Sequence, residues 1–428
     1  MTEVNSTKIH ILMGEVSLFV SGRLCFFGEH SDWAGRYCAM NGELVPGAAI
    51  VCGIEQGIHA TAELSEQFEV YSDAPELNEI WKDFCCTMAY SELEKIAKSD
   101  SFFSYCAGVA SYMLTNYKVG GCKISIHSMT LPIKSGLSSS AAICVLVARA
   151  FNQLYSLQLS TRDEMNIAYL GELRTSSRCG KLDQACAFGC KPVLMEFNGD
   201  EMNVYPLKVG AELHWVFADL CAGKDTKKIL RALNKAYPFA SDERDIAIQN
   251  ALGPSNQAII NRAIRYIAKG EKRALGALMN EAQALFDSSV APACPEELVA
   301  PKLHSILSDS KIKDMVYGGK GVGSQGDGSV QFLAIDKKNQ TALANYLNAI
   351  GLKAYTLTIR QTNSVHKAII PVAGLGTRLY PATRILKKDF FPVVDGRDGF
   401  VKPAILIILE ELIDSGIDEI CIILGFST

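Results

Sequence analysis

No Cys-x-x-Cys pair occurs in this chain of 428 residues, although it carries 14 cysteines. Cys85-Cys86 and Cys186/Cys190 lack partners at zinc spacing, which excludes a zinc finger or ribbon. The cysteines lie in apolar segments such as 144-CVLV-147 and 421-CIIL-424, and read as reduced thiols acting as small hydrophobes. No apolar run approaches the ~20 residues of a membrane span. The opening MTEVNSTKIHILMGEVSLF is acidic where a secretory leader would be basic, and it has no cleavage site. The net charge is −4 and no basic block stands out, which argues against nucleic acid or an anionic membrane as partner. Internal repeats and low-complexity tracts are also lacking. The expectation is a soluble, cytoplasmic protein, a monomer or small homo-oligomer, with large apolar cores.

Three blocks follow one another. Residues 1–205 mix strands, such as 17-SLFVS-21, 49-AIVCGI-54 and 122-CKISIHS-128, with helices over 102–116 and 139–155. Residues 206–360 are richer in helices, over 226–237, 255–270, 272–286 and 339–349. They also carry two late strands, 330-VQFLAID-336 and 352-LKAYTLTI-359. A polar stretch, 361-QTNSVH-366, reads as a linker. From Lys367 to Thr428 the pattern is strand, Gly turn, helix, strand, the βαβ opening of a doubly wound, Rossmann-like sheet.

Four segments carry chemistry. In 132-PIKSGLSSSAA-142 three serines follow a Gly just before an apolar helix. One serine suffices to cap a helix. Several hydroxyls and backbone N–H groups at a helix start suit an anion such as phosphate. The segment 22-GRLCFFGEHSDWAG-35 gathers Arg23, Glu29, His30 and Asp32 in a Gly-flanked turn, a set that suits a polyhydroxyl ligand. Glu172 and Asp183 lie in 171-GELRTSSRCGKLDQACAFG-189, and 318-GGKGVGSQGDGSVQFL-333 is a Gly-dense loop entering a strand.

In order and spacing these segments resemble the three motifs of the GHMP kinases, the family of galactokinase, mevalonate kinase and homoserine kinase. The first motif is nearest the galactokinase form G-R-x-x-x-x-G-E-H-T-D-Y; the second matches P-x-x-x-G-L-S-S-S-A. The third departs from the usual Gly-Ala run at Ser324, Gln325 and Asp327. The resemblance implies an α+β, two-domain GHMP kinase fold, with a ribosomal-S5-like domain over 1–205 and a ferredoxin-like domain over 206–360. It implies ATP and Mg²⁺ as cofactors. Pro132, Gly136, Leu137, Ser138, Ser139, Ser140, Gly321 and Gly323 would bind ATP, and Ser140 with Glu172 would hold Mg²⁺. Asp183 would be the catalytic base, and Arg23 would stabilise that site and the developing charge. Glu29, His30 and Asp32 would bind sugar hydroxyls. Arg36 is a candidate for an acidic substrate group. Lys134 and Lys181 read as solvated lysines, with Lys134 a second possible carboxylate partner. The implied reaction is phosphorylation of a monosaccharide at its anomeric hydroxyl. Glucuronic acid is the first expectation for the sugar, and galactose or L-arabinose the alternatives. A non-catalytic sugar- and ATP-binding regulator is a further alternative.

The last block, 370-IPVAGLGTRLYPATRILKKDFFPVVDG-396, resembles the opening of sugar-nucleotide pyrophosphorylases of the UDP-glucose type. Gly374, Gly376, Thr377 and Arg378 would cradle a nucleoside triphosphate. The usual Pro-Lys is Lys387-Lys388 here, so no catalytic lysine is assigned. About sixty residues compare with the ~200 of such a fold. The expectation is therefore a truncated piece of a kinase–pyrophosphorylase fusion whose kinase half alone is complete.

Overall fold

The computed structural model describes residues 15–74, 83–131, 138–177, 179–362, 367–372, 374, 376–396, 399–415, 417 and 419–424. The expected ATP contacts Pro132, Gly136 and Leu137, with Lys134 and the linker residues 363–366, lie outside them. The chain forms two compact units, Met1–Gln361 and Thr362–Thr428.

The first unit carries two sheets. One has seven strands: β1 (Val16–Phe27), β2 (Gly47–Ser65), β3 (Gln67–Ser72), β4 (Phe84–Thr87), β5 (Gly121–Met129), β6 (Val193–Asn198) and β7 (Glu201–Pro206). Its order is β4-β3-β5-β2-β6-β7, and β1 pairs with β2 as well. The 19-residue β2 organises this sheet. It pairs β1 along one edge, and β5 and β6 in succession along the other. The second sheet is antiparallel, β11-β8-β10-β9, from β8 (Leu213–Asp219), β9 (Val316–Gly321), β10 (Ser329–Ala334) and β11 (Lys353–Ile359).

Helices pack on both sheets: α1 (Ser31–Arg36), α2 (Ser104–Asn116), α3 (Ser139–Leu154), α4 (Thr161–Glu172), α5 (Thr226–Leu233), α6 (Asn256–Lys269), α7 (Lys272–Ser289) and α8 (Lys337–Ala349). The apolar period read in α3 ends in a helix buried on nearly every side, including Ile143, Leu146, Ala150 and Phe151. The sheets share one core, in which Phe26 of β1 stacks on Trp215 of β8 with ring centroids 4.1 Å apart. Gln331 of β10 crosses between them. Its amide oxygen accepts from the Trp215 indole at 3.0 Å, and its nitrogen donates to the Cys25 carbonyl at 2.7 Å.

The second unit is slighter. β12 (Lys367–Pro371) pairs in parallel with β15 (Glu419–Ile423), β13 (Pro392–Val394) pairs with β14 (Val401–Pro403), and α9 spans Ala404–Asp414. The parallel pair matches the expected outer strands. Between the Gly turn and α9, however, lie three short 3₁₀ turns and the β13–β14 pair in place of one immediate helix. Pro381 and Pro392 break any helical run there. Among the described residues no helix is long and apolar enough to cross a membrane.

Candidate active site

The end of β1 delivers the first site residue. The β1–β2 register shifts between Ser21 and Arg23 and again between Cys25 and Phe27. Such bulges re-aim side chains. Buried Arg23 reaches Asp183, 160 positions on, where a 3₁₀ turn begins. The guanidinium Nε donates to Asp183 Oδ1 at 3.0 Å, and Nη2 donates to the same oxygen. Ser138 Oγ adds a third bond to that oxygen, at 2.8 Å. The Asp183 side chain is 31% exposed, so a substrate can reach it.

Ser138 corrects the simplest expectation for the serine run. It stands at the N-cap of α3 but in the left-handed region (φ 61°), and its side chain makes no capping bond. The hydroxyl is turned to Asp183 instead, so the helix start and the carboxylate are tied together.

Glu172 closes α4 and is fully buried. Gln184 Nε2 donates to it at 2.7 Å and Ser177 Oγ at 3.2 Å, and the Ser140 hydroxyl bonds it as well. Burial pushes its carboxyl above the ordinary glutamate value, and the Asp183 charge adds to that; the three bonds oppose both. Two carboxylates thus lie close together with Arg23 bonded to only one of them. A divalent cation between Glu172 and Ser140 would relieve the other, so this donor set fits Mg²⁺. Among the described residues no group of three or more His, Cys, Asp or Glu side chains could hold a metal. A single carboxylate with a hydroxyl is the kind of protein share Mg²⁺ takes when phosphate oxygens complete it.

The turn after β1 presents the remaining candidates. Gly28 has φ +91°, and a Cβ there would lie 2.2 Å from the Ala48 carbonyl oxygen, so only glycine fits. Glu29 pairs with Lys320 of β9, whose Nζ also donates to the Gly321 carbonyl at 2.9 Å. Both side chains are almost wholly buried (8% and 2% exposed). Burial raises the Glu29 carboxyl, and Lys320 works against the rise. His30 Nδ1 accepts from the Trp33 indole at 3.1 Å. Burial, then Lys224 and Lys320, push the His30 ring down to about 4, with the Ser324 carbonyl opposing. Asp32 Oδ2 accepts from the Leu182 N–H at 3.4 Å. Gly180 makes room for it, because a Cβ there would lie 1.7 Å from Oδ2. Burial and then the neighbouring Asp183 raise the Asp32 carboxyl.

Residues 104–190 match the family model for the GHMP kinases N terminal domain, and residues 367–426 the Nucleotidyl transferase model. Galactokinase from Thermotoga maritima is 25% identical over 373 residues, 81% of this chain and 98% of that protein. The chain is similar to the GHMP kinases. It is a phosphotransferase, galactokinase-like over most of its length, followed by a nucleotidyltransferase segment. Lactococcus lactis galactokinase, solved with galactose, shares the GHMP kinase fold at a TM-score of 0.60 and 18% identity, over 82% of this chain and 94% of that one. The final segment is 48% identical over 66 residues to UTP–glucose-1-phosphate uridylyltransferase from Streptococcus pneumoniae. That match is 15% of this chain and 20% of the relative's length.

The expected residues Arg23, Asp183, Ser138, Ser140 and Glu172 converge, with Asp32 beside them, and Ser139 follows Ser138 as the first helical residue. Arg36 stands apart. It is 70% exposed and lies 3.9 Å from Asp200. Lys181 turns the same way, to the Asp200 carbonyl. Gly321 spends its N–H on Gln283 Oε1 (2.7 Å) and its carbonyl on Lys320. Gly323 keeps open space around a φ of +66°. Sequence reasoning missed the two lysines of the kinase site. Lys320 was visible as the one cation inside the Gly-dense 318–333 loop. Lys224, in 222-AGKDTKK-228, had no signal to separate it from its lysine neighbours.

Proposed function

We propose that this kinase transfers the terminal phosphoryl group of ATP to the anomeric hydroxyl of a monosaccharide. The observation that carries the reading is the shared Asp183 oxygen, held by Arg23 and Ser138, with the Glu172–Ser140 pair beside it. Asp183 accepts the hydroxyl proton as the sugar oxygen attacks. Arg23 fixes the carboxylate and lies where negative charge develops. Ser138, Ser139 and the start of α3 face the phosphates. Glu172 and Ser140 would hold Mg²⁺, which supplies charge neutralisation along the phosphates. Phosphoryl transfer needs mainly alignment and neutralisation, and this cluster offers both.

Glucuronic acid is the first reading for the sugar, because a kinase joined to a UDP-type nucleotidyltransferase segment would deliver a sugar 1-phosphate to it. Galactose is the second, favoured by the galactokinases among the relatives. Residues 367–428 read as the opening of a doubly wound nucleotidyltransferase. With a fifth of the relatives' length present, uridylyl transfer is not assigned to this chain.

The test is ADP release from ATP and Mg²⁺ across a panel of neutral sugars and uronic acids. One sugar should drive release, and Asp183→Asn should cut it about 10³-fold. Tight sugar binding without release would make the protein a sensor and overturn the reading.

A further inference from the structure

The ground around Glu29 is richer in donors than a neutral sugar needs. Glu29 is already engaged by Lys320. Lys224 brings a second ammonium. Its Nζ donates to the Gln325 carbonyl at 2.8 Å and packs against the third Gly loop, where a Cβ on Gly328 would lie 2.4 Å from it. One residue before Gln325, Ser324 meets Thr226 at 3.2 Å, which fixes the Lys224 segment to the loop. Among the described residues Lys224 forms no ion pair. A neutral carbonyl is a poor match for a largely desolvated ammonium with three N–H bonds to place.

His30 points the same way. The Trp33 indole can only donate, so Nδ1 of His30 holds a lone pair and the neutral ring carries its proton on Nε2. That Nε2 is buried and makes no hydrogen bond of ordinary geometry; only the Ser324 carbonyl lies close enough to favour its proton. The ring stays neutral at physiological pH because burial and the two lysines keep its protonation near pH 4. The site therefore shows two donors, an ammonium and an imidazole N–H, beside a carboxylate that is already neutralised. A sugar hydroxyl set there would need an acceptor for its own proton, and Glu29 is committed. A carboxylate accepts from both donors and also supplies the missing counter-charge.

We infer that Lys224 and His30 receive the carboxylate of a uronic acid, with Lys224 the residue that selects it over the neutral hexose. This rests on the sugar-kinase reading and names the residues that choose the sugar. The other anion in such a site is the transferred phosphoryl group, and the experiment separates the two.

Glucuronate, galacturonate, glucose and galactose are compared by kcat/KM in the wild type, Lys224→Gln and Lys224→Arg, each checked for an unchanged circular-dichroism spectrum. A uronate should be the preferred substrate. Lys224→Gln should lower the uronate-to-hexose ratio about 50-fold, and Lys224→Arg should restore most of it. Burial first, then the Arg23 charge, bring the Lys224 ammonium down to about 8, with Asp219 and Glu29 opposing. The uronate-to-hexose ratio should therefore fall as pH rises through that value. An equal loss for acid and neutral sugars would place Lys224 on the phosphoryl group and overturn the inference, as would a wild type that prefers a neutral hexose. Calorimetric titration with the same uronates separates failure of the kinase reading. Uronate binding that is lost in Lys224→Gln upholds the carboxylate site even without ADP release. Neither binding nor release overturns both.

Discussion

In the unit ending at Gln361 the large apolar side chains turn inward, and Trp215, Phe26, Phe68 and Phe151 are all fully buried. In residues 367–424 the reverse holds: Ile385 is 94% exposed, and Ile369, Phe400, Val401 and Leu424 are all well exposed. Apolar content does not separate the two, since α9 is as apolar as any helix of the kinase (AILIILEELID). Cover does. The seven-stranded and four-stranded sheets clasp a common core, whereas β12 and β15 form a two-stranded parallel pair. Parallel strands are ordinarily buried on both faces, and a pair of strands encloses too little to reward its own ordering. A local βαβ pattern therefore sets which strands meet, but a core forms only when both faces are covered.

The sharpest way to break that comparison is a pair of truncations. Trp215→Ala should cost about 3–5 kcal/mol, read from urea unfolding of the kinase unit. Ile385→Ala should change stability by less than about 0.5 kcal/mol; a loss above 1 kcal/mol would mean Ile385 is covered in solution. Buried ion pairs give the next contrast. Lys320→Met leaves Glu29 alone in the core and should destabilise by about 3 kcal/mol, with Glu29→Gln in the same chain recovering most of it. The counterpart in the second unit is Lys402, which binds Asp395 at 3.0 Å and Glu410 at 2.7 Å. Lys402→Met should cost about 1–2 kcal/mol, because that unit has less core to lose. The smallest effect is one of pH. Glu172 must be ionised to hold Mg²⁺, and its carboxyl protonates above the ordinary 4.5. Apparent Mg²⁺ affinity should fall about tenfold per pH unit once pH drops below that raised value. In the metal-free protein the same group acts oppositely: the fold favours its protonated form, so stability declines as pH rises through the raised value. Glu172→Gln should flatten both slopes, which Mg²⁺ titrations and thermal melts across pH would read.

Much of the kinase was legible before the coordinates. The helices α3, α7 and α8 declare themselves by period; the ordered motifs marked Arg23 and Ser138, and the separate 171–189 segment marked Glu172 and Asp183. What escaped was long-range pairing. Nothing near Glu29 announces Lys320, 291 positions away. The reading of Glu29 as a binder of sugar hydroxyls, made from its neighbours, could not include that partner. Strand β2 was seen only over 49–54, because Gly53, Glu55, Gln56 and Gly57 interrupt its apolar pattern where it passes from one pair of neighbours to the next. Ser138 was found for its hydroxyl, but its left-handed backbone, which turns that hydroxyl from cap to carboxylate, is a property of the folded loop.

The Gln331 bridge has a practical consequence. One amide spends its oxygen on a strand of one sheet and its nitrogen on a strand of the other, next to the Phe26–Trp215 stack. Prising the sheets apart as rigid lobes would strip the bond to the Cys25 carbonyl and unstack the rings at once. Ligand entry is left to the loops above, and an inhibitor chemist can treat the floor between the sheets as a fixed template.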